Sequence, residues 1–239
     1  MNNTRICRSR SSVGGSASNS FSDIIEINNL QCLERLEKLQ LDNNIIHKIE
    51  KLDHLVNLKW LDLSFNLISK IENLDTLTKL EDLSLFSNNI EEVENLDKLV
   101  NLNVLSIGNN KIETADTMAM YLRRFAKLQV LNVKGNKFCK DNGNDYKLLI
   151  LAYLKNIRYL DYSAVDKNML IRAEDRYRDD INDKEAKAAE AKGEEPVDPM
   201  SKEEREQFRA AHITTVIDFF KIINENDEDM QKLARLPKH

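Results

Sequence analysis

One feature decides what this chain can fold into: a pattern of leucines with a period of roughly 22 residues. Four copies of LxxLxLxxN open at evenly spaced leucines, namely Leu36, Leu58, Leu80 and Leu102. A fifth copy opens at Leu128, and a shortened one, "IRYLDY", opens at Ile157. A unit this short cannot bury its own apolar face, so the units must stack on one another in a solenoid.

The LxL part of each unit alternates apolar and polar residues, which predicts a short strand with its leucines facing inward. The roughly eleven residues that remain are too few for a full helix and a return, so we expect a tight turn and a 3₁₀-like segment. Stacked units place their strands in parallel, in a curved sheet that lines a concave surface. A single amphipathic helix is excluded because the leucines alternate with period two.

An asparagine ends each copy of the pattern, at Asn44, Asn66, Asn88, Asn110 and Asn136. Asparagine is a poor former of strands and helices, so its return at a fixed place indicates that its side chain serves the backbone there. Its side chain carries two donors and an acceptor, which can satisfy backbone groups in its own turn and in the next repeat. We therefore expect a buried asparagine ladder.

The repeat extends beyond its regular copies. Ile27, Leu30 and Leu33 hold the places of equivalent apolar residues one unit later, which indicates a degenerate repeat before the first full one. We expect its strand half to be lost in the Ser-rich tail. The units that open at Leu102 and Leu128 are longer, and "TMAMYLRRFAKL" and "DYKLLILAYLKN" predict helices on the convex side. The second helix and "IRYLDY" would cover the open end of the core.

These patterns are the signature of a leucine-rich-repeat solenoid. The expected fold class is α/β, with parallel strands on the concave face, 3₁₀ or short helices on the convex face, and a C-terminal α-helical extension.

Residues 1–20 carry three arginines and no acid, as a mitochondrial transit peptide does, but they lack an apolar face. The expected segments are a flexible Ser/Arg-rich tail over 1–20, the solenoid with its C-terminal cap over 21–162, a charged helix over 163–192, a linker over 193–200, and an amphipathic helix with a tail over 201–239.

Residues 163–239 carry the whole net charge of the chain, with 14 Lys and Arg against 19 Asp and Glu. Closely spaced opposite charges predict a long solvated helix after residue 163. Its thin apolar stripe fits a helix lying on the solenoid end and a docking or coiled-coil strand equally well. Ser201 and Glu204 then form a capping box before a second helix. The apolar face of that helix needs a partner in this chain or another, and it consists of Ile213, Val216, Ile217, Phe220 and Ile223.

Composition and motifs argue against several classes of function. A net charge of −5 leaves no general basic excess for nucleic acid. The cysteines at 7, 32 and 139 show no metal spacing, so we expect a reduced, intracellular compartment. The longest apolar run near the end, 213–220, is far short of a membrane span. The sequence has no phosphate-binding glycine loop, nucleophile elbow or histidine cluster, so we expect neither catalysis nor a cofactor, metal or small-molecule substrate.

The remaining candidate site is the concave face, where the residues that alternate with the inward leucines point outward. Trp60, the single tryptophan, is among these residues, and Asp161 is expected to point outward there too. Exposed aromatic residues beside charges are typical of protein interfaces, although Trp60 could instead pack against the adjacent strand. The predicted protein-binding residues are Lys38, Trp60, Asp62, Asp82, Phe86, Val104, Val130 and Tyr159.

The repeats also resemble known families. The form LxxLxLxxNxIxxIExL is that of the short leucine-rich repeats found in phosphatase-regulator solenoids. More narrowly, "LEDLSLF", "YLRRFAKLQVLNVKGN" and "AYLKNIRYLDY" resemble the leucine-rich-repeat subunits of the nexin–dynein regulatory complex of motile cilia and flagella, over residues 21–192 and more loosely to 221. That family begins with an acidic helix where this chain has its Ser/Arg-rich tail, and it continues into a long coiled coil where this chain ends at His239.

The resemblance implies a scaffold without catalysis that links outer doublet microtubules, helps to control dynein arms and contacts other subunits of the complex. Its implied location is the cytoplasm, the cytoskeleton and the axoneme of the cilium or flagellum, with no nucleic acid or membrane as partner. Two other functions compete. A soluble regulatory subunit of a protein phosphatase would need more repeats and a longer aromatic and acidic concave surface. A ribonucleoprotein component would need basic flanks, whereas the C-terminal segment is acidic.

Overall fold

The computed structural model describes residues 15–18, 24–141 and 145–192 of the chain. The chain divides into two compact units, residues 1–178 and 179–239, and the second is described only along the end of one helix. The predicted linker over 193–200, the capping box and the apolar helix face at 213–223 lie outside the described residues. Most of the predicted tail, at 1–14 and 19–20, lies outside them too.

The elements follow one another in the order that the repeat predicts. They are β1 (Gly15–Ser18), β2 (Leu36–Gln40), β3 (Trp60–Asp62), β4 (Asp82–Ser84), β5 (Val104–Ser106), α1 (Ala115–Leu122), β6 (Val130–Asn132), α2 (Phe138–Asp141), α3 (Asp145–Tyr153), β7 (Tyr159–Leu160), β8 (Ser163–Ala164) and α4 (Lys167–Lys192). Each strand from β2 to β7 begins within two residues of a repeat's opening leucine or isoleucine.

The strands form one sheet in which β1 to β8 lie in chain order. Every neighbouring pair from β1 to β7 is parallel, and β8 returns antiparallel to β7. From β2 to β7 the register places one leucine of each unit beside its equivalent in the next, and all six side chains are at most 1% exposed: Leu39, Leu61, Leu83, Leu105, Leu131 and Leu160. The predicted fold class is confirmed, because the core is a stack of equivalent positions.

The segments that return from each strand are tighter than a helix. In the unit that opens at Leu36, the backbone N–H of Leu55 donates to the carbonyl of Leu52, and that of Leu58 donates to Leu55, each at 2.9 Å. Equivalent pairs recur in the units before and after it. The predicted 3₁₀-like segment is therefore two successive turns with i to i+3 bonds, and the leucines at every third position all lie on its buried side.

We expected the strand half of the first repeat to be lost, but the structure shows that it is present. Gly15–Ser18 forms β1, which pairs in parallel with β2 and shifts register between Gly15 and Ser16. This strand lies inside the segment predicted to be a flexible tail. Glycine and serine have little strand propensity, so pairing with the hydrogen-bonding edge of β2 accounts for the strand better than the local sequence does.

The two longer units carry the predicted helices, α1 and α3. The backbone N–H of Met169 near the start of α4 is capped by Asp166 at 2.8 Å. Two ion pairs then join the first half of α4 to the end of the solenoid: Arg176 to Asp145 at 2.6 Å and Lys155 to Glu174 at 3.7 Å. This part of the charged helix thus lies on the solenoid end. Within the described residues, no helix is both long and apolar enough to cross a membrane.

Candidate protein-binding surface

The residues that alternate with the buried leucines make up one side of the sheet, which we call the front face. Strand register fixes which of them are neighbours. The first row, one residue per strand from β2 to β7, is Lys38, Trp60, Asp82, Val104, Val130 and Tyr159. The second row, from β2 to β6, is Gln40, Asp62, Ser84, Ser106 and Asn132. Six of the eight predicted binding residues therefore form one continuous row.

The predicted residues differ in how much they expose. Lys38 is exposed and Tyr159 is 52% exposed, while Trp60, Val104 and Val130 are half-buried. Asp62, Asp82 and Phe86 are half-buried as well. The half-burial of Trp60 is compatible with both alternatives that the sequence allowed, an interface residue and a ring packed on the adjacent strand.

Trp60 and Asp82 lie opposite each other on β3 and β4. The indole N–H of Trp60 lies near the Asp82 carboxylate and favours its ionised form. Partial burial and, to a lesser degree, the charge of the Asp62 carboxylate together raise the pKa of the Asp82 carboxyl to about 6, whereas the indole N–H of Trp60 acts in the opposite direction. The centre of the front face is thus a pair of carboxylates that repel each other beside an indole ring.

Phe86 lies just beyond β4 and rests on the next unit. A Cβ added to Gly108 would stand 3.0 Å from two ring carbons of Phe86 and 2.8 Å from the backbone oxygen of Lys134. Glycine at position 108 therefore leaves the space that the phenylalanine ring fills. On its other side, Phe86 meets the ring of Phe65 edge-on, with 5.4 Å between the ring centroids.

Asp161 does not point outward, which corrects the sequence prediction. It is buried, and its Oδ1 accepts the backbone N–H groups of Val133 at 2.8 Å and Lys134 at 2.9 Å. Its Oδ2 accepts the hydroxyl of Tyr146 at 2.7 Å. Burial and the Asp161 carboxylate raise the pKa of Tyr146 above its usual range. Asp161 thus accepts three hydrogen bonds directly after the last parallel strand of the solenoid. The next residue, Tyr162, lies in the turn to β8 and is 76% exposed.

The five asparagines of the predicted ladder are all buried. In Asn66 the side-chain amide donates to the carbonyls of Leu41 at 2.9 Å and Leu63 at 3.0 Å, while its oxygen accepts the N–H of Ile46 at 3.0 Å. Asn88, Asn110 and Asn136 repeat this geometry. Each asparagine thus bonds its own turn and the preceding repeat, whereas we had expected the following one.

A second recurring position carries a left-handed backbone in the return segments. Asn29, Lys51, Asn73 and Asn95 hold the same place in successive units, with φ between 57° and 63°. The amides of Asn73 and Asn95 donate to Ile49 at 2.7 Å and Ile71 at 2.8 Å, one unit back. Sequence reasoning missed this position, although an asparagine in three of four units was the signal.

Within the described residues, no group of three or more His, Cys, Asp or Glu side chains could hold a metal ion. The front face instead offers aromatic rings, aliphatic side chains and carboxylates in reach of a partner, which is the chemistry of protein recognition.

Comparison with known proteins agrees with this architecture. A family model described as "Leucine Rich repeats (2 copies)" matches residues 56–98 and 78–120. The fold is a leucine-rich-repeat solenoid. Among solved structures, an internalin from Listeria monocytogenes aligns with this repeat solenoid at a TM-score of 0.52 and 26% identity, over 62% of this chain and 41% of that one.

The chain is also similar to two curated proteins named dynein regulatory complex subunit 3. It is 42% identical to the Mus musculus protein over 121 residues, which are 49% of this chain. It is 41% identical to the Macaca fascicularis protein over 64 residues, or 27% of this chain. The aligned regions span 23% and 12% of the lengths of those relatives. The resemblance that the sequence motifs indicated is confirmed.

The structure adds two exposed aromatic residues that sequence reasoning missed, Phe65 and Tyr162. Phe65 occupies a place that is Asn43, Ser87 or Asn109 in the neighbouring units, so comparison of the repeats could have singled it out. Tyr162 lies in a turn outside the regular repeat, and its hydroxyl bonds with the side chain of Asn132. No sequence signal marks that contact.

Proposed function

We propose that this chain is a non-catalytic scaffold and interaction subunit of the nexin–dynein regulatory complex in the axoneme of cilia and flagella. It contributes there to the regulation of dynein-driven motility through protein contacts of its solenoid and helices. Its partners are other subunits of the complex, with dynein arms and doublet microtubules as further candidates. The single observation that carries the proposal is the similarity to dynein regulatory complex subunit 3 at 42% identity over 121 residues.

The front face supports a role in protein binding. It runs across six parallel strands with Trp60 and Asp82 near one end and Tyr159 at the other. Aromatic anchors beside charged groups are what protein interfaces use, and the repeat fold holds these side chains on a rigid sheet. The apolar helix face that the sequence predicts at 213–223 is a second proposed docking element of the same scaffold.

The test is where the protein resides in a ciliated cell. The full chain is tagged and expressed, membrane and matrix are extracted with detergent, and the axonemes are imaged. We expect the protein to stay on the axoneme at a regular spacing along the doublets. Complete extraction into the detergent fraction would contradict the proposal and would favour a soluble phosphatase regulator.

A substitution in the front face tests whether retention on the axoneme depends on that surface. Trp60→Ala removes the largest ring of the first row, and it should weaken retention while the melting temperature changes little. Val56→Ala, at an exposed site outside the front-face rows, is the matched control and should leave retention unchanged. A large loss of stability with retention intact would assign Trp60 to packing alone.

A further inference from the structure

Phe65 is held in a backbone conformation that bulky residues avoid. Its φ is +54°, and the equivalent residues Asn43, Ser87 and Asn109 have φ of +55°, +57° and +53°. The fold therefore imposes a left-handed residue at this place in each of the four units. Asparagine tolerates this conformation well, whereas a phenylalanine there is an outlier.

The phenylalanine at this strained place is also exposed. Phe65 leaves 49% of its surface accessible while its ring stands edge-on to that of Phe86. A polar residue would suit both the backbone and the solvent better, so neither the backbone geometry nor solubility explains the ring. A strained, exposed aromatic residue is the kind of outlier from which a functional role is inferred.

Phe65 belongs to an apolar cluster, which we call the aromatic edge. It consists of Phe65 and Phe86 with Ile45 and Leu67, which are 38% and 39% exposed. The backbone N–H of Leu67 donates to Ile46 at 2.9 Å, which places the Leu67 segment directly beside that of Ile45. In the two following units the place of Leu67 is taken by an asparagine and a lysine, at 89 and 111. The apolar surface is therefore confined to three adjoining units.

The charge beside the aromatic edge is negative. Over β2 to β4 and the turns after them, the front face carries Asp42, Asp62 and Asp82 against one cation, Lys38. Within the described part of the chain, no lysine or arginine forms an ion pair with Asp62 or Asp82. Asp62 accepts the N–H of Ser64 at 2.9 Å, so it belongs to the same turn that presents Phe65.

We propose that the aromatic edge anchors a partner protein segment in which an aliphatic or aromatic side chain stands next to a lysine or arginine. The apolar side chain packs on Phe65 and Phe86, and the cation lies over Asp62 and Asp82. Complementary charge fixes the orientation of the segment, and the rings supply most of the binding energy. This inference rests on the proposed protein-binding role of the front face, and it assigns the anchoring residues and the chemistry of the partner.

Phe65→Asn separates binding from folding, because it removes the ring and installs the residue that suits the backbone. The full chain is used to select binders from a random peptide library displayed on phage, and the selected peptides are then measured against variants. We expect the peptides to pair an apolar residue with Lys or Arg. We expect Phe65→Asn to weaken their Kd about tenfold or more, with an unchanged or higher Tm.

Ser87→Asn is the matched control, since it makes the same kind of change at the equivalent place one unit later. It should change the Kd of the peptides less than about twofold. Asp62→Asn and Asp82→Asn should each weaken peptides that contain the cation and spare versions with glutamine in its place. A Tm that falls sharply in Phe65→Asn would make the ring structural and overturn the inference.

Two further outcomes separate this inference from the proposed function. Peptides that lose binding in Trp60→Ala but keep it in Phe65→Asn would overturn the aromatic edge and leave the front face as the interface. A selection that yields only peptides indifferent to both substitutions would contradict a protein-binding front face altogether.

Discussion

Trp60 and Asp82 are neighbours across β3 and β4, and the indole N–H of Trp60 lies near the Asp82 carboxylate. The largest aromatic ring of the front face therefore lies beside a carboxyl group whose pKa is raised to about 6. Because that value lies close to neutrality, the charge at the centre of the front face depends on pH.

Asp82→Asn should stabilise the protein at neutral pH and lose this advantage in acid. Between pH 3.8 and about 6, the folded protein holds a proton at Asp82 that the unfolded chain has already released. The contribution of Asp82 to stability therefore grows as the pH falls through about 6 and is lost as the pH rises through it. The measurement is the Tm of variant and wild type at about pH 7.5 and about pH 5.

Two comparisons keep this prediction specific. Asp62→Asn should lower the pKa of Asp82, read from the carboxyl carbon in an NMR titration, because it removes the neighbouring charge. Asp75→Asn, in an exposed return segment, should leave both the titration and the difference in Tm as they are. A difference in Tm between Asp82→Asn and wild type that is the same at both pH values would contradict the assignment.

Asn66→Ala should destabilise the solenoid by about 1–3 kcal/mol, because buried backbone groups lose their partners. Those groups are the N–H of Ile46 and the carbonyls of Leu41 and Leu63. Thermal and urea unfolding followed by circular dichroism give the change in free energy. Asn89→Ala removes the same amide from a half-buried place off the ladder and should cost far less. Equal losses in the two variants would argue against the ladder.

Gly108→Ala should cost about 1–3 kcal/mol through overpacking. The new Cβ would meet the Phe86 ring at 3.0 Å and the backbone oxygen of Lys134 at 2.8 Å. Phe86→Leu in the same chain should recover only part of this loss, since the backbone contact remains. Unfolding free energies of the single and double variants test this, and full recovery would show that the ring is the whole obstacle.

Lys51→Asn should raise the Tm above that of Lys51→Ala by about 2–4 °C. Both variants lose the exposed ion pairs of Lys51 with Glu50 and Glu26, so those cancel in the comparison. The asparagine tolerates the φ of +58° and, by analogy with Asn73, reaches a carbonyl one unit back. Differential scanning calorimetry decides the point, and an equal Tm for both variants would mean that no such bond forms.

The sequence predicts the regular parts of this fold because each unit repeats the same physical problem. The constant period predicts the stacked leucines, and the alternation predicts the rows that hold Lys38 and Trp60. Exceptions to the period are where prediction fails. Asp161 follows a shortened unit and is drawn inward by Tyr146, and Gly15–Ser18 becomes a strand because of what lies beside it.

In the candidate site, too, some features follow from the repeat period and others do not. Its first row follows from register alone, whereas the aromatic edge depends on a backbone angle at Phe65 that no leucine pattern reveals. The Asn ladder is visible in sequence, but the repeat to which each asparagine bonds is set by the direction in which the chain stacks.

Site-specific photo-crosslinking in the axoneme tests the central claim most directly, namely that the front face of this solenoid binds another subunit of the dynein regulatory complex. Trp60→benzoylphenylalanine is expressed in the full chain in a ciliated cell, extracted axonemes are illuminated, and the product is identified by mass spectrometry. Glu92→benzoylphenylalanine, at an exposed place in a return segment, is the control. The account predicts a crosslink from position 60 to a subunit of that complex and none from position 92. A crosslink from position 92 alone, or from neither position in axonemes that retain the protein, would contradict it.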